Sequence, residues 1–435
     1  ASPSGTVTFK DGATTLGTGT LSGGAATLST SALAVGPHSI TAEYAGDTDN
    51  DGATSSATSV TVAKASPTVA LTALPATPAY GASVTMTATL SGGASPSGTV
   101  TFKDGATTLG TGTISSGQAT FSTSSLSAGS HSITAVYAGD TDNDTATSSA
   151  ATVTVSLATL TVSLTSSSTT PTRGTSVTLT ATLSGGASPT GTVTFKDGAT
   201  AIGTGTVSSG VATLTTSSLA SGSHSLTATY GGDGSNAETT SSSLTVTVAK
   251  ATPSVALASS AATSMPGSPL TFTATISGGY SPGGTVTFKD GSTTIGTGTI
   301  SSGTASLTTS SLAEGLHSIT AVYGGDTDND TVTSSAVSVT VGKASPTISV
   351  AASSTTPLPG TSVTFTATIS GGPSPTATGT FTDGSTTIGT GTVSGGTASF
   401  STSSLALGSH SITAVYAGDT DNDTVTSSAV SVTVG

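Results

Sequence analysis

Along this chain apolar side chains recur at every second position, with threonine or serine between them. In Val84–Leu90 the alternation is Val84, Met86, Ala88, Leu90. A period of two places those four side chains on one face of a β-strand with one buried side. Val69 and Leu71 mark a strand before it, and Val100 and Phe102 a third strand after it. Leu109, Ile114 and Phe121 mark further short strands. The segment HSITAVY sets His131, Ile133, Ala135 and Tyr137 on one face, and Val153 and Val155 belong to a last strand. Asp104-Gly105, between FK and ATTLG, predicts a two-residue hairpin loop. No segment carries a helical period. Seven or eight short strands in succession predict a β-sandwich.

The pattern repeats without insertion or deletion. Phe9, Phe102, Phe195, Phe288 and Phe381 are each 93 residues apart, as are His38, His131, His224, His317 and His410. Internal repetition of this length means tandem domains. The expected boundaries are 1–65, 66–158, 159–251, 252–344 and 345–435. The first copy begins at a point matching Ala94, so it lacks the first two strands. The missing second strand would bury four apolar side chains at roughly 1.5–3 kcal/mol each, so this copy is not expected to fold alone. A longer parent array explains the gap more simply than a strand donated by another molecule. The joints, such as TVAKASPTV and TVGKASPTI, are short, and Pro67, Pro253 and Pro346 stiffen three of them. Sandwiches joined this way predict an elongated rod on the order of 150–200 Å long.

GTVTFKDG, then LSAGSHSITAVYAGD, then TSSAATVTV resemble the bacterial immunoglobulin-like (Big) domains of long surface proteins. In that family a Tyr-x-Gly-Asp corner follows the sixth strand. Tyr137, Gly139 and Asp140 match it, with Tyr44, Tyr230, Tyr323 and Tyr416 in the other copies. The resemblance implies an all-β fold of tandem immunoglobulin-like β-sandwiches. The fifth copy departs from it: Gly379 and Thr382 stand where the others have Val and Lys, so its third strand is expected to pack less well.

Composition narrows the function. Only 7% of the 435 residues are charged, and the net charge is −13. That excludes the clustered cations a nucleic acid needs. No run of about 18 apolar residues exists to cross a membrane in this segment. Mean hydropathy is +0.20, too apolar for disorder. Cysteine is absent, so disulfides and thiol chemistry are excluded. No export signal is visible at Ala1, so one is expected to have been removed or to lie outside these residues.

The one cluster with metal-ligand character is D-T-D-N-D. It supplies Asp47, Asp49 and Asp51; Asp140, Asp142 and Asp144; Asp326, Asp328 and Asp330; and Asp419, Asp421 and Asp423. The third copy reads DGSNAE and keeps only Asp233 and Glu238. Alternate carboxylates can converge on calcium, as in an EF-hand loop. The closing Glu is missing, however: the twelfth position is Thr58 in the first copy and Ala151 in the second. The alternative is a solvated hairpin tip in which Asp140 caps its own turn. With calcium, the third copy should be the metal-free, flexible one. The loop is expected to face the joint at Lys64 and the Lys10-Asp11 turn of the copy before it.

Other chemistry finds little support. Each copy has one His, read as hydrogen-bonded at the core edge, and no GxSxG elbow occurs. GTGT lacks the Lys and helix of a phosphate loop and reads as a bent, glycine-rich strand. Tyr80 and Tyr280 do not recur and hint at exposed carbohydrate contacts. Asn143, Asn329 and Asn422 fit glycosylation sequons. No enzyme is expected. The sequence points to a secreted or cell-surface structural array, a stalk, spacer or filament subunit. Its partners would be its own neighbouring repeats, with self-association into filaments or bundles. The alternative is adhesin repeats that bind a glycan or a protein receptor, rigidified by calcium at the joints.

Overall fold

Thr-Val alternation suits pleated, half-buried strands, and the computed structural model, which describes residues 1–435, contains strands and no helix. The first copy holds β1 (Thr6–Asp11), β2 (Thr14–Thr20), β3 (Gly36–Tyr44), β4 (Ala53–Thr54) and β5 (Thr58–Val62). The second holds β6 (Thr68–Leu74), β7 (Val84–Ser91), β8 (Thr99–Asp104), β9 (Thr107–Thr113), β10 (Gln118–Thr123), β11 (Gly129–Tyr137), β12 (Ala146–Thr147) and β13 (Ala151–Val155).

In the second copy these strands form two antiparallel sheets. One runs β10-β7-β6, the other β12-β11-β8-β9 with β13 also on β11. Val84, Met86, Ala88 and Leu90 of β7 pack with Val100, Phe102, Ile133, Ala135 and Tyr137 in one buried apolar core. The expected alternation is therefore the inner face of a sandwich. Gly112 in β9 has no room for a side chain, because a Cβ there would stand 2.4 Å from the Thr120 carbonyl oxygen. The glycine-rich strand is thus a close approach between the edges of the two sheets.

The hairpin differs by one residue from expectation. Asp104 pairs with Thr107, so the loop is Gly105-Ala106, with Gly105 at φ +54°. Asp104 stays in the strand because its carboxylate bonds across to β11.

The first copy has only its five-stranded sheet, β2-β1-β3-β4 with β5 on β3. Without a facing layer, Val7, Phe9, Ile40 and Ala42 are only partly buried. The segment 25–30, matching β10, forms no strand, because nothing equivalent to β7 is there to pair with it.

The fourth and fifth copies repeat the two-sheet order, the fourth adding a parallel strand Thr263–Ser264 beside Val337–Val341. In the fifth, the glycine at 379 leaves its cross-strand partner Gly391 only half-buried, where the matching Gly112, Gly205 and Gly298 are buried. A Cβ on Gly379 would lie 2.8 Å from the Ala398 side chain, which approaches the vacated space. Phe365, Phe381 and Phe400 pack together in the core of this copy, with ring centroids 6.4 and 5.9 Å apart. Thr382, in place of lysine, bonds Thr413 across the sheet at 2.6 Å.

The chain divides into two compact units whose boundary runs through the third copy. The first comprises Ala1–Thr165, Leu179–Leu214 and Leu226–Leu244; the second comprises Ser166–Thr178, Thr215–Ser225 and Thr245–Gly435.

Candidate functional site

The D-T-D-N-D loop leaves β11 at Tyr137 and returns at β12. Gly139, at φ +80°, starts the turn, and a Cβ there would meet the Asn143 carbonyl oxygen at 2.7 Å. The first aspartate folds back on the loop. Asp140 Oδ1 accepts from the Asp142 and Asn143 backbone N–H groups, both at 2.9 Å, and from Asn143 Nδ2 at 2.8 Å. Its Oδ2 accepts from Ser97 N and Ser97 Oγ at 2.9 and 3.0 Å. The Asn143 amide and these N–H donors hold the Asp140 carboxyl well below the usual carboxylate range.

Asn143 is fully buried. Its Oδ1 accepts from Ala94 N at 2.7 Å and its Nδ2 donates to Ala94 O at 3.0 Å. One side chain thus ties this loop to the loop between β7 and β8. In the third, fourth and fifth copies the core tyrosine joins the network. Tyr230, Tyr323 and Tyr416 donate to Asp233, Asp326 and Asp419 at 2.7–2.8 Å. Burial pushes these three hydroxyls up to about 12.

The loop's outer edge holds the linker. Ala65 N donates to Asp142 O at 2.9 Å, and Asp144 N donates to Ala65 O at 2.8 Å. Lys64 Nζ reaches the Asp140 carbonyl oxygen at 2.6 Å. The same pair of backbone bonds recurs from Ala158 to Ser235 and Ala237, from Ala251 to Asp328 and Asp330, and from Ala344 to Asp421 and Asp423. The third copy makes both bonds with Ser and Ala where the others have Asp, so these two backbone bonds do not depend on acidic side chains.

Of the sequence-selected aspartates, the first of each set (Asp47, Asp140, Asp326, Asp419) is the structural one. Asp49, Asp51, Asp142, Asp144, Asp330 and Asp423 are exposed. Asp144 and Asp423 accept only from the linker's Ser66 and Ser345 hydroxyls, at 3.3 and 3.1 Å. Asp328 turns to Arg173 at 2.8 Å, and Asp421 is half-buried. No group of three or more His, Asp or Glu side chains is gathered in a metal-holding arrangement.

Other expectations had different outcomes. The linker meets the loop as expected, while in the turn of the preceding copy Lys10 pairs with Glu43, and Asp11 bonds His38 and Ser39. The sequon asparagines Asn143, Asn329 and Asn422 are fully buried, their amide nitrogens committed to hydrogen bonds, so they are not surface acceptors. Tyr80 packs against the core of the second copy, whereas Tyr280 is exposed as expected, with the Arg173 guanidinium 3.7 Å over one face of its ring.

Two features escaped sequence reasoning. One is the loop asparagine, buried as Asn143, Asn236, Asn329 and Asn422 and half-buried as Asn50 in the first copy, which recurs even where the second and third acids are lost. The other is a His–Asp pair. His131 Nδ1 lies 2.7 Å from Asp104 Oδ2 and Nε2 lies 2.8 Å from Ser127 O, with equivalents at His38, His317 and His410. Both ring nitrogens face acceptors, so the ring has no lone pair free to act as a base.

A family model described as Bacterial Ig-like domain (group 3) matches residues 1–63, 71–156, 164–249, 257–342 and 350–435. Such tandem repeats are typical of surface proteins. Among solved structures, the fibronectin(III)-like modules of Clostridium thermocellum CbhA show 21% identity over 41% of this chain and 94% of their own, at TM-score 0.20. A Salmonella alpha-2-macroglobulin reacted with methylamine shows 9% identity over 100% of this chain and 37% of its own, at TM-score 0.19. Among curated proteins none matches the chain.

Proposed function

Because this chain belongs to the bacterial Ig-like domain family, group 3, in five tandem copies, we propose that it is a structural array of a secreted or cell-surface protein. It works as a stalk or spacer that sets distance and bears load, and its partners are its own neighbouring copies. The observation that carries this is the joint. At all four linkers the aspartate loop of the following copy bonds one linker alanine through both its N–H and its C=O. A linker held in a two-sided backbone ladder loses the freedom of a flexible tether. The His ring, with both nitrogens engaged, supports a structural role for the recurring His–Asp pair. Each copy then acts as a repeat stabilised by itself and by its nearest neighbour.

Single-molecule stretching of the full chain tests this. Four complete sandwiches should unfold as four separate force peaks, each lengthening the chain by on the order of 300 Å. Smooth extension without peaks would remove the load-bearing role.

A further inference from the structure

The chain has one arginine, Arg173, and it sits at a joint. Its backbone N–H donates to Ala249 O at 2.8 Å, which fixes its turn to the end of the third copy. Its Nη1 donates to Leu219 O at 3.0 Å in the same copy. The guanidinium then crosses to the fourth copy. Nε donates to Asp328 Oδ1 at 2.8 Å, and Cζ stands 3.7 Å over the Tyr280 ring. Ser221 N adds a third-copy donor to the same Asp328 oxygen at 3.2 Å. Gly174 leaves room for the ring: a Cβ there would stand 2.8 Å from Tyr280 Cδ2.

None of this is part of the repeat. One period earlier the Arg173 and Tyr280 positions hold Tyr80 and Ala187; one period later they hold Pro266 and Pro373. The third copy lacks the acid equivalent to Asp328, having Ser235. Two non-repeating residues from different copies thus meet each other and one loop aspartate at a single joint. A planar cation can bond a carboxylate in its plane while stacking a ring on its face, and Arg173 does both.

We propose that the joint between the third and fourth copies is a side-chain lock, stiffer than the joint between the fourth and fifth. It rests on the spacer reading and adds to it: the array would hold one fixed angle among more compliant ones. The lock acts through the orientation of two copies, and so does not require the four-peak unfolding pattern.

The test uses the full chain, which has no cysteine to interfere with labelling. Spin labels go on exposed Thr213 and Ser306 across this joint, or on exposed Ser306 and Ser399 across the next. Pulsed dipolar spectroscopy then gives each distance distribution. The native 213/306 distribution should be narrower than the 306/399 one. Arg173→Gln, and separately Tyr280→Ala, should widen 213/306 by about 1.5-fold or more and leave 306/399 unchanged. An unchanged 306/399 distribution also shows that the fourth and fifth copies remain folded. Equal native widths, or a 213/306 width unaffected by both substitutions, would overturn the proposal.

Discussion

Asp104 Oδ2 lies 2.7 Å from His131 Nδ1, and the other ring nitrogen of His131 faces the Ser127 carbonyl oxygen at 2.8 Å. Two acceptors on one ring favour the imidazolium. The Asp104 carboxylate, followed by the Ser127 carbonyl, raises the His131 pKa against the opposing effect of burial. A pKa raised by folding gives stability that is complete below the unfolded value, near 6.5, and lost as pH rises through the folded value. Asp140 acts in the opposite sense. Its pKa is lowered, so its stability is present above the ordinary carboxylate range and lost on acidification below about pH 4. Calorimetry across pH should therefore show the highest Tm between about pH 4 and 6.5. Replacing His131, His317 and His410 by Gln should flatten the alkaline limb and leave the acid limb in place.

Asn143 should matter far more than its acidic neighbours. Asn143→Ala removes the buried side chain that bonds both backbone groups of Ala94 and the Asp140 carboxylate, and should destabilise the second copy by about 2–4 kcal/mol. Asp142→Asn keeps the carbonyl that holds Ala65 and should change stability by less than about 0.5 kcal/mol. Calorimetric unfolding of the full chain would show one transition shifted down in the first variant and none in the second. The reverse order of effects would mean that the loop works through its charges.

In the fifth copy, proline stands where Ala94 stands in the second. Pro373 has no N–H, and Asn422 Oδ1 is left without a donor although Asn422 Nδ2 still bonds Pro373 O at 3.0 Å. Pro373→Ala should supply the donor and stabilise the fifth copy by about 1 kcal/mol. The gain is reduced because the unfolded chain becomes more flexible. A fall in the Tm of that copy would show that the proline's stiffness outweighs the missing bond.

The two oxygens of Asp140 already accept five hydrogen bonds. Calcium would have to displace those donors and draw the exposed Asp142 and Asp144 inward. Millimolar calcium is therefore expected to give no titration heat and to move Tm by less than about 1 °C. A rise of several degrees, absent when Asp142 and Asp144 are replaced by Asn, would show that the loop rearranges around the ion.

The core was legible because burial follows strand alternation: Val84, Met86, Ala88 and Leu90 could face only one way. The joint was less so. Asn143 lies in a polar loop and looks solvated, yet its amide finds both backbone groups of Ala94, 49 residues away. Local pattern carries no trace of such a pairing. The trace lay in the repeat, where DGSNAE keeps the asparagine and drops two acids. The His–Asp pair was hidden similarly, at a separation of 27 residues. The effect of Gly379 was legible, because its strand partner Gly391 is only half-buried, while the approach of the Ala398 side chain toward the vacated space was not.

End-to-end joining of folded copies is tested most directly by small-angle X-ray scattering of the full chain. Five copies in line should give a maximum dimension on the order of 150–200 Å and a radius of gyration of about 45–60 Å. A radius of gyration near 22 Å, about that of one compact globule of this length, would contradict it.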